Sequence, residues 1–121
     1  MKKMKSGMIY KQGEIVLIPY PFSDLSNIKQ RPVLILSNNK YNFMTEDIVV
    51  CGITSNIKDS EYSVLLDNKD LLDCSLPIRS RIKADKLFTL KSSLIKKKLG
   101  KVNNKILERV NKEILKLFYR S

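Results

Sequence analysis

Arg31 is the residue whose type and position point most clearly to chemistry. It stands directly before Pro32 and the unbroken apolar run Val33 to Leu36. Pro32 fixes its own backbone, lacks an amide hydrogen and biases Arg31 towards extended geometry. The apolar run has the length and the β-branched content of a buried central strand. We therefore predict a guanidinium group at the entry of a rigid strand, where its planar fork can bind an anion.

The absence of histidine limits which side chains can move a proton. The chain has no histidine and two cysteines, Cys51 and Cys74, which form no CxxC pair and are expected to be free thiols. Histidine-pair ribonucleases, Ser-His-Asp hydrolases, Cys-His proteases and the usual zinc sites are therefore excluded within this chain. Proton transfer has to use carboxylates, hydroxyls, lysine or arginine. Thr54 and Ser55 supply hydroxyls where another apolar strand is predicted to leave the sheet.

Net charge is the most unusual feature of the composition. The 121 residues include 23 Lys and Arg against 12 Asp and Glu, a formal charge of +11. Such an excess favours nucleic acid or an anionic membrane as partner. Membrane insertion is not expected, because no apolar run approaches the roughly 20 residues of a spanning helix. A cytoplasmic location is expected, because no hydrophobic signal core follows the basic start, Met1 to Ser6.

The apolar pattern predicts mostly strands within a single domain spanning residues 1–121, with 1–11 as a flexible basic N-terminus. Strands are expected at 14–18, 33–36, 48–54, 62–66 and 87–90, with an alternating stretch at 78–84. Pro19 and Pro21 are expected to end the first strand, since neither can donate to a ladder. Residues 22–30, 38–46 and 67–75 are predicted to be loops or turns.

Two helices are predicted near the C-terminus. Ser92 can cap a brief helix to Lys98, which Gly100 would end. A longer helix is predicted after Asn103 and Asn104, because apolar residues then recur every four positions. These are Ile106, Val110, Ile114 and Phe118. Short, mostly antiparallel strands followed by an amphipathic helix indicate an α+β or small-barrel fold instead of alternating βαβ units.

Six short motifs follow one another between Gly13 and Phe118. They are Gly13 to Leu17, Gln30 to Ser37, Ile53 to Ser55, Ser80 with Asp85, Leu87 to Leu90, and Lys98 to Val102. Their order resembles that of the MazF/PemK family of toxin endoribonucleases from toxin–antitoxin pairs. The resemblance implies an SH3-like small antiparallel barrel with a C-terminal amphipathic helix, acting as a homodimer. It also implies metal-independent cleavage of single-stranded RNA without a cofactor.

The same resemblance implies partners and functional residues. A small cognate antitoxin is expected to place a disordered acidic tail in the RNA groove, and DNA contact is expected only through that antitoxin. Arg31 and Thr54 match the family's catalytic arginine and its strand-end threonine. Asp85 stands where some members have a catalytic carboxylate, and Lys83 where one branch has a catalytic arginine. A neighbouring motif often reads Arg-Thr-Ile-Asp in the family. In this chain Phe88 replaces the Arg of that motif and Lys91 replaces its Asp.

RNA can be cut without a metal when its own 2′-OH attacks the adjacent phosphate. The protein then has to align the nucleotide, stabilise charge on the phosphoryl oxygens and move a proton. Arg31 suits the charge stabilisation, Thr54 can position the 2′-OH or bridge to the phosphate, and Asp85 is the candidate base. Which group is the general acid stays open among these three and Lys83.

RNA binding is predicted from charge and stacking. Residues 79 to 101 contain nine basic side chains and one acid, which suits a track for the backbone. Aromatic residues flanking the Arg31 strand can stack unpaired bases. The predicted RNA-binding residues are Tyr20, Phe22, Gln30, Ser55, Ser80, Lys83 and Lys86. The shapes of segments 22–30 and 56–60 are expected to set the base readout.

Other interpretations remain open at the level of the sequence. Arg31 taken alone is more often a surface charge at a strand end, and Asp85 between Lys83 and Lys86 is more often a solvated ion pair. Three loop aspartates at 67, 70 and 73 are interpreted as solvated surface, and no metal site is predicted. Two alternative functions are a non-catalytic toxin of the same fold that poisons DNA gyrase, and an inactive basic nucleic-acid-binding module.

Overall fold

The computed structural model describes residues 9–20, 29–73 and 79–120, with the side chain of Tyr20 excepted. Its strands are β1 (Glu14–Tyr20), β2 (Lys29–Ile35), β3 (Asp47–Thr54), β4 (Ser63–Leu66), β5 (Leu71–Asp73), β6 (Ser80–Lys91) and β7 (Lys97–Val102), and its helices are α1 (Asn39–Met44) and α2 (Asn104–Phe118). In this part of the chain the strands form one sheet in the order β4-β6-β3-β2-β1-β7-β5. Every pairing is antiparallel.

The fold class predicted from the sequence is confirmed: the protein is an antiparallel half-barrel with a C-terminal amphipathic helix. Successive residues of a strand point to opposite faces, so a strand buried on both faces supplies two cores. Ile15 and Leu34 belong to one cluster of buried side chains, which α2 covers, while Val16 and Val33 belong to the other. The central position predicted for the strand after Arg31 is therefore confirmed.

Strand β1 continues through Pro19, contrary to the prediction that Pro19 would help to end it, while Pro21 lies outside the described residues. Pro19 pairs with Gln30 of β2, and pairing extends to Tyr20. On its other side β1 pairs with β7 only as far as Leu17. The Leu17 carbonyl accepts a hydrogen bond from the Lys96 amide on that side. Two residues on, the backbone of Pro19 faces the same side of β1 as that of Leu17. The amide hydrogen that Pro19 lacks would therefore point to a side where β7 no longer pairs with β1.

A short helix, α1, replaces the turn and connection predicted for residues 38–46. Asn38 caps it, because its side-chain oxygen accepts a hydrogen bond from the Tyr41 amide at 2.8 Å. Asn42 is 1% exposed, and its amide nitrogen donates to the carbonyls of Ser37 and Tyr10. Polar contacts from elsewhere in the fold, and not an apolar period, hold this six-residue helix.

The brief helix predicted from Ser92 to Lys98 is wrong. Only Ser92–Leu94 forms a 3₁₀ turn, and β7 follows it. Gly100 does not end a helix but lies buried in β7, opposite Ile15 of β1. The acidic loop predicted at 67–75 is also partly wrong, since its residues include the 3₁₀ turn Asn68–Asp70 and strand β5, which pairs with β7. Residues 74–78 lie outside the described part.

Helix α2 confirms the four-residue period over its first half. Asn103 caps it by accepting a hydrogen bond from the Ile106 amide at 2.9 Å. Ile106 and Val110 are buried against the sheet, whereas Phe118 is 70% exposed, so the stripe packs only in part. Gly13 has φ +89°, and an added Cβ would lie 3.1 Å from the Leu107 side chain. None of the helices in the described ranges is long and apolar enough to cross a membrane.

Candidate functional site

An open groove of about 1070 Å³ lies where β2 and β3 separate, beside the middle of β6. Its lining comes from the start of β2, the end of β3, the connection after β3 and the middle of β6. The lining residues are Arg31, Pro32, Val33, Gly52, Ile53, Thr54, Asn56, Lys58, Asp59, Ser60, Lys83, Asp85, Lys86, Leu87 and Phe88. The three residues predicted to be catalytic all belong to this set. Arg31 and Thr54 therefore share one cavity.

Strand register explains why Arg31 and Thr54 meet. β2 and β3 pair from Ile35 with Val50 to Val33 with Gly52, where the pairing stops. The same register continued along both strands would place Arg31 opposite Thr54. Pro32 lies just beyond the last pair and has no amide hydrogen with which to extend the ladder. The two strands therefore separate at Pro32, and the groove opens between them.

A bulge in β6 brings Asp85 to the same groove. β6 pairs Leu87 with Cys51 and Lys83 with Gly52, so three residues of β6 are inserted opposite two consecutive residues of β3. Bulges of this kind redirect side chains and occur often beside functional sites. A Cβ added to Gly52 would lie 3.6 Å from the Cβ of Lys86, so the inserted residues pass close above the glycine.

Asp85 lines the groove as a half-buried side chain, and one of its two carboxylate oxygens is fully covered. Its Oδ1 is buried and has no hydrogen-bond partner in the described part of the chain. The buried Cys51 thiol lies near it, and burial first, then the charge of Asp85, raises the pKa of Cys51 to about 12. Cys51 is therefore a neutral thiol at physiological pH and no nucleophile. Because Oδ1 is covered by protein, a substrate hydroxyl in the groove can reach this half-buried carboxylate only through its other oxygen.

The Thr54 hydroxyl already accepts one hydrogen bond, and its hydrogen can still be donated to a ligand. Its Oγ1 accepts a hydrogen bond from the Asn56 amide at 3.1 Å. This turn fixes the direction of the hydroxyl at the end of β3. The hydroxyl hydrogen can then point into the groove, where it can donate to a phosphate oxygen or to a ribose hydroxyl.

The connection between β3 and β4, here called the 55–62 loop, forms one wall of the groove. Asn56, Lys58, Asp59 and Ser60 of this loop line it. Lys83 of β6 donates from Nζ to Ser60 Oγ at 2.9 Å, which ties the wall to the strand. The loop was expected to influence base readout, but its individual lining residues could not be identified from the sequence. Phe88 also lines the groove, although only its departure from the family motif had been noted.

Of the predicted RNA-binding residues that the structure describes with their side chains, some line this groove and others do not. Lys83 and Lys86 line it. Gln30 and Ser55 are exposed neighbours of Arg31 and Thr54 outside the lining. Ser80 is 7% exposed and outside the lining, so its side chain is not placed to contact a molecule in the groove. The side chain of Tyr20 and all of Phe22 lie outside the described part.

The groove is suited to an anion. Four basic residues line it, against the two acids Asp59 and Asp85. The described residues contain no cluster of three carboxylate or cysteine side chains that could hold a metal ion. Next to the charges, Pro32, Ile53 and Phe88 provide apolar surface. Positive charge combined with apolar surface fits a phosphate backbone with unpaired bases.

Comparison with solved structures identifies the class of fold. A MazE–MazF structure from Deinococcus radiodurans matches with TM-score 0.75 and 22% identity, covering 95% of this chain and 100% of that chain. An endoribonuclease in complex with its cognate antitoxin, from a mycobacterial species, matches with TM-score 0.71 and 23% identity, covering 88% and 92%. A mycobacterial endoribonuclease matches with TM-score 0.72 and 22% identity, covering 93% of both chains. The fold is that of MazF toxins.

A family model gives the more specific result. The PemK-like, MazF-like toxin of type II toxin–antitoxin systems matches residues 11–118. The chain therefore belongs to this toxin family, and the resemblance inferred from the order of motifs is confirmed. Comparison with curated proteins gives no match.

Proposed function

We propose that this protein is a metal-independent, sequence-specific endoribonuclease that cleaves single-stranded RNA as the toxin of a toxin–antitoxin pair. The observation that carries the proposal is that Arg31, Thr54 and Asp85 line one positively charged groove. A cation, a hydroxyl donor and a carboxylate acceptor are the groups that cleavage by the RNA 2′-OH requires. Family membership and the endoribonucleases among the structural neighbours support the same reaction.

In the proposed reaction the 2′-oxygen attacks the adjacent phosphorus. A bond forms between phosphorus and the 2′-oxygen, and the bond to the 5′-oxygen breaks. The products are a 2′,3′-cyclic phosphate and a 5′-OH. Arg31 stabilises the negative charge that builds on the non-bridging oxygens, and strand pairing fixes the backbone that carries this side chain. Thr54 aligns the ribose or the phosphate from the opposite side of the groove.

Two proton transfers complete the reaction. Asp85 lines the groove with a half-buried carboxylate, which can accept the 2′-OH proton. The leaving 5′-oxygen needs a proton, for which Lys83 and Lys86 are the ammonium donors that line the groove. Lys83 stands where one family branch has its catalytic arginine and already donates to Ser60, so it is the better oriented of the two.

The partners follow from the same proposal. Single-stranded RNA is the substrate because unpaired bases can reach the apolar surface of the groove, whereas a duplex buries its bases. A cognate antitoxin is expected, since structural neighbours include complexes of toxin with antitoxin. An acidic segment of that antitoxin would compete with RNA for the groove cations. A homodimer, a cytoplasmic location and DNA contact only through the antitoxin belong to the proposal.

The decisive experiment incubates the purified protein with a long single-stranded RNA in excess EDTA. Fragments that carry 2′,3′-cyclic phosphate and 5′-OH ends support the proposal. The matched variants are Arg31→Ala, in the groove, and Arg109→Ala, on the exposed face of α2. Activity is expected to be lost only in the first. A parallel assay with DNA gyrase tests the alternative toxin mechanism.

Each other outcome contradicts the proposal in a different way. Intact RNA together with gyrase trapped on cleaved DNA would indicate the gyrase-poisoning alternative. Intact RNA that is nevertheless bound would indicate the inactive binding module. Cleavage that survives Arg31→Ala would show that the fragments come from a contaminating nuclease or from another site on the protein.

A further inference from the structure

Arg81 holds the 55–62 loop at several points. Its Nη1 donates to Ser63 Oγ at 3.0 Å and lies 3.4 Å from Asp59 Oδ1, while its Nε lies 3.3 Å from the Ile57 carbonyl, to which it donates. The Arg81 side chain is only 11% exposed, which is unusual for an arginine, whereas that of Asp59 is 94% exposed. The guanidinium group is therefore covered by the loop that it contacts.

The 55–62 loop has few other attachments in the described structure. Residues 55–61 are all exposed, and even Ile57 keeps 41% of its surface in contact with solvent. Its internal hydrogen bonds, such as the one from the Lys58 amide to Asn56 Oδ1, are local and exposed. Lys83 adds the contact to Ser60. Since a loop without buried apolar contacts is easily opened, Arg81 contributes a large share of its order.

Arg81 itself does not line the groove, but four residues that it helps to position do so. The loop wall faces the strands that present Arg31 and Thr54. A shift of this wall would change the width of the groove and the position of the Lys58 ammonium group. It would leave the strand-borne groups unchanged, because Arg81 pairs through its backbone with Thr54 and Leu65 whatever its side chain is.

We infer that Arg81 is a positioning residue for RNA selectivity, which holds the 55–62 loop as a fixed wall against the bases next to the cleaved bond. This inference rests on the proposed endoribonuclease function. Arginine is needed because its planar fork donates from Nε and Nη1 to different acceptors at once. Lysine would keep the charge but would replace the fork with a single ammonium group. The effect therefore falls on recognition and only weakly on the chemical step.

The test compares Arg81→Gln and Arg81→Lys with the control Arg109→Gln. Arg109 is an exposed arginine on α2, outside the groove and outside the basic segment 79–101. For Arg81→Gln we expect KM to rise about fivefold or more with kcat within about twofold, and the rate ratio of preferred to non-preferred motifs to fall about tenfold. Sequencing of 5′-OH ends on a long RNA gives the motif ratio. Arg81→Lys should restore part of that ratio, and the control should match the wild type.

Hydrogen exchange supplies a readout that does not depend on RNA. The Lys58 amide, which donates to Asn56 Oδ1, and the Ala84 amide, which donates to the Tyr62 carbonyl at the end of the loop, should exchange about tenfold faster in Arg81→Gln, while the amides of β3 stay protected as in the wild type. Unchanged motif selectivity in a variant with faster loop exchange would overturn the inference and leave the proposed function standing. Unchanged loop exchange would overturn it as well. Absence of wild-type cleavage would instead refute the proposed function, and with it the role in selectivity.

Discussion

Replacement of Lys98 by methionine is expected to destabilise the fold, because it leaves the Glu14 carboxylate buried without its cation. Lys98 Nζ lies 3.2 Å from Glu14 Oε2 and 3.4 Å from Asp73 Oδ2. The Glu14 side chain is 8% exposed and the Lys98 side chain 32%. The lysine joins β1, β5 and β7 at one point. A run of three lysines at 96–98 is thus not uniform surface, since its last member is part of the structure.

The geometry sets the size of the effect. Breaking a fully buried ion pair costs about 3–5 kcal/mol, whereas an exposed pair contributes about 0–1 kcal/mol. Glu14 is buried and keeps a hydrogen bond from the Lys11 amide at 2.8 Å, but solvent reaches Lys98. We therefore expect Lys98→Met to lose about 2 kcal/mol, equivalent to a fall in Tm of roughly 6–10 °C. Methionine keeps the length of the side chain, so the loss reports on charge.

Urea unfolding followed by far-UV circular dichroism measures this loss, since the chain has no tryptophan to report it by fluorescence. Glu14→Gln and the double variant complete a cycle, in which the double variant should be more stable than additivity predicts. Lys97→Met is the matched control, because Lys97 is an exposed neighbour in the same strand. A Lys98→Met variant that unfolds with the wild type, within about 0.5 kcal/mol, would refute the reasoning.

The pair also predicts a pH dependence. The hydrogen bond to Glu14 is the main cause that raises the pKa of Lys98 above its ordinary value of 10.5. A lysine with a raised pKa contributes stability that is complete below the ordinary value and is lost as the pH rises through the folded-state value. The difference in stability between the wild type and Lys98→Met should therefore be constant near neutrality and shrink above pH 10.5. A difference that grows with pH would contradict this assignment.

Three further predictions concern the groove and its surroundings. Arg31→Ala should slow cleavage at saturating RNA by at least about a hundredfold, as loss of an oxyanion-stabilising donor does, and near-normal single-turnover rates would remove Arg31 from the mechanism. Replacing Lys96 and Lys97 with glutamine should weaken RNA binding and lower the slope of log Kd against log salt by about 1.4, with kcat unchanged; a fall in kcat would show that they act in the chemical step. Burial raises the pKa of Cys51 to about 12, so its thiol should react slowly with a disulfide reagent at pH 8. The measurement uses Cys74→Ser, in which Cys51 is the one remaining thiol, and labelling should become fast only when urea is added. Rapid labelling of the folded protein would disprove the burial of Cys51.

The central strands could be predicted because their apolar runs are long and rich in β-branched residues. Strand β7 could not, since Lys97 to Val102 has neither clear alternation nor a continuous apolar run, and its partner β1 lies at the other end of the chain. Lysine and leucine favour helices in isolation, and pairing with β1 overrides that preference. Helix α1 was missed for a related reason, because the buried Asn42 contacts Ser37 and Tyr10 through bonds that no local pattern reveals.

The candidate site could be predicted in its residue types but not in its construction. Arg31 was evident from the Arg-Pro step before a buried strand, and Thr54 from its place at a strand end. Asp85 reaches the groove only because β6 carries a bulge, which depends on its register with β3. Arg81 gave no signal in an alternating strand, where it looks like any outward-facing charge. Its contacts depend on how a distant loop folds over it.

The early end of the β2–β3 ladder at Pro32 has a consequence for how such a small protein can hold a large substrate. The cavity lies between two neighbouring strands whose hydrogen-bond ladder stops early, so it needs no added domain, lid or insertion. Pro32 has no amide hydrogen to donate at this one position, and the pairing of β1 with β2 and of β3 with β6 is kept. Room for a long polymer thus comes from leaving a few hydrogen bonds between β2 and β3 unmade, and the loss of stability is confined to that short stretch.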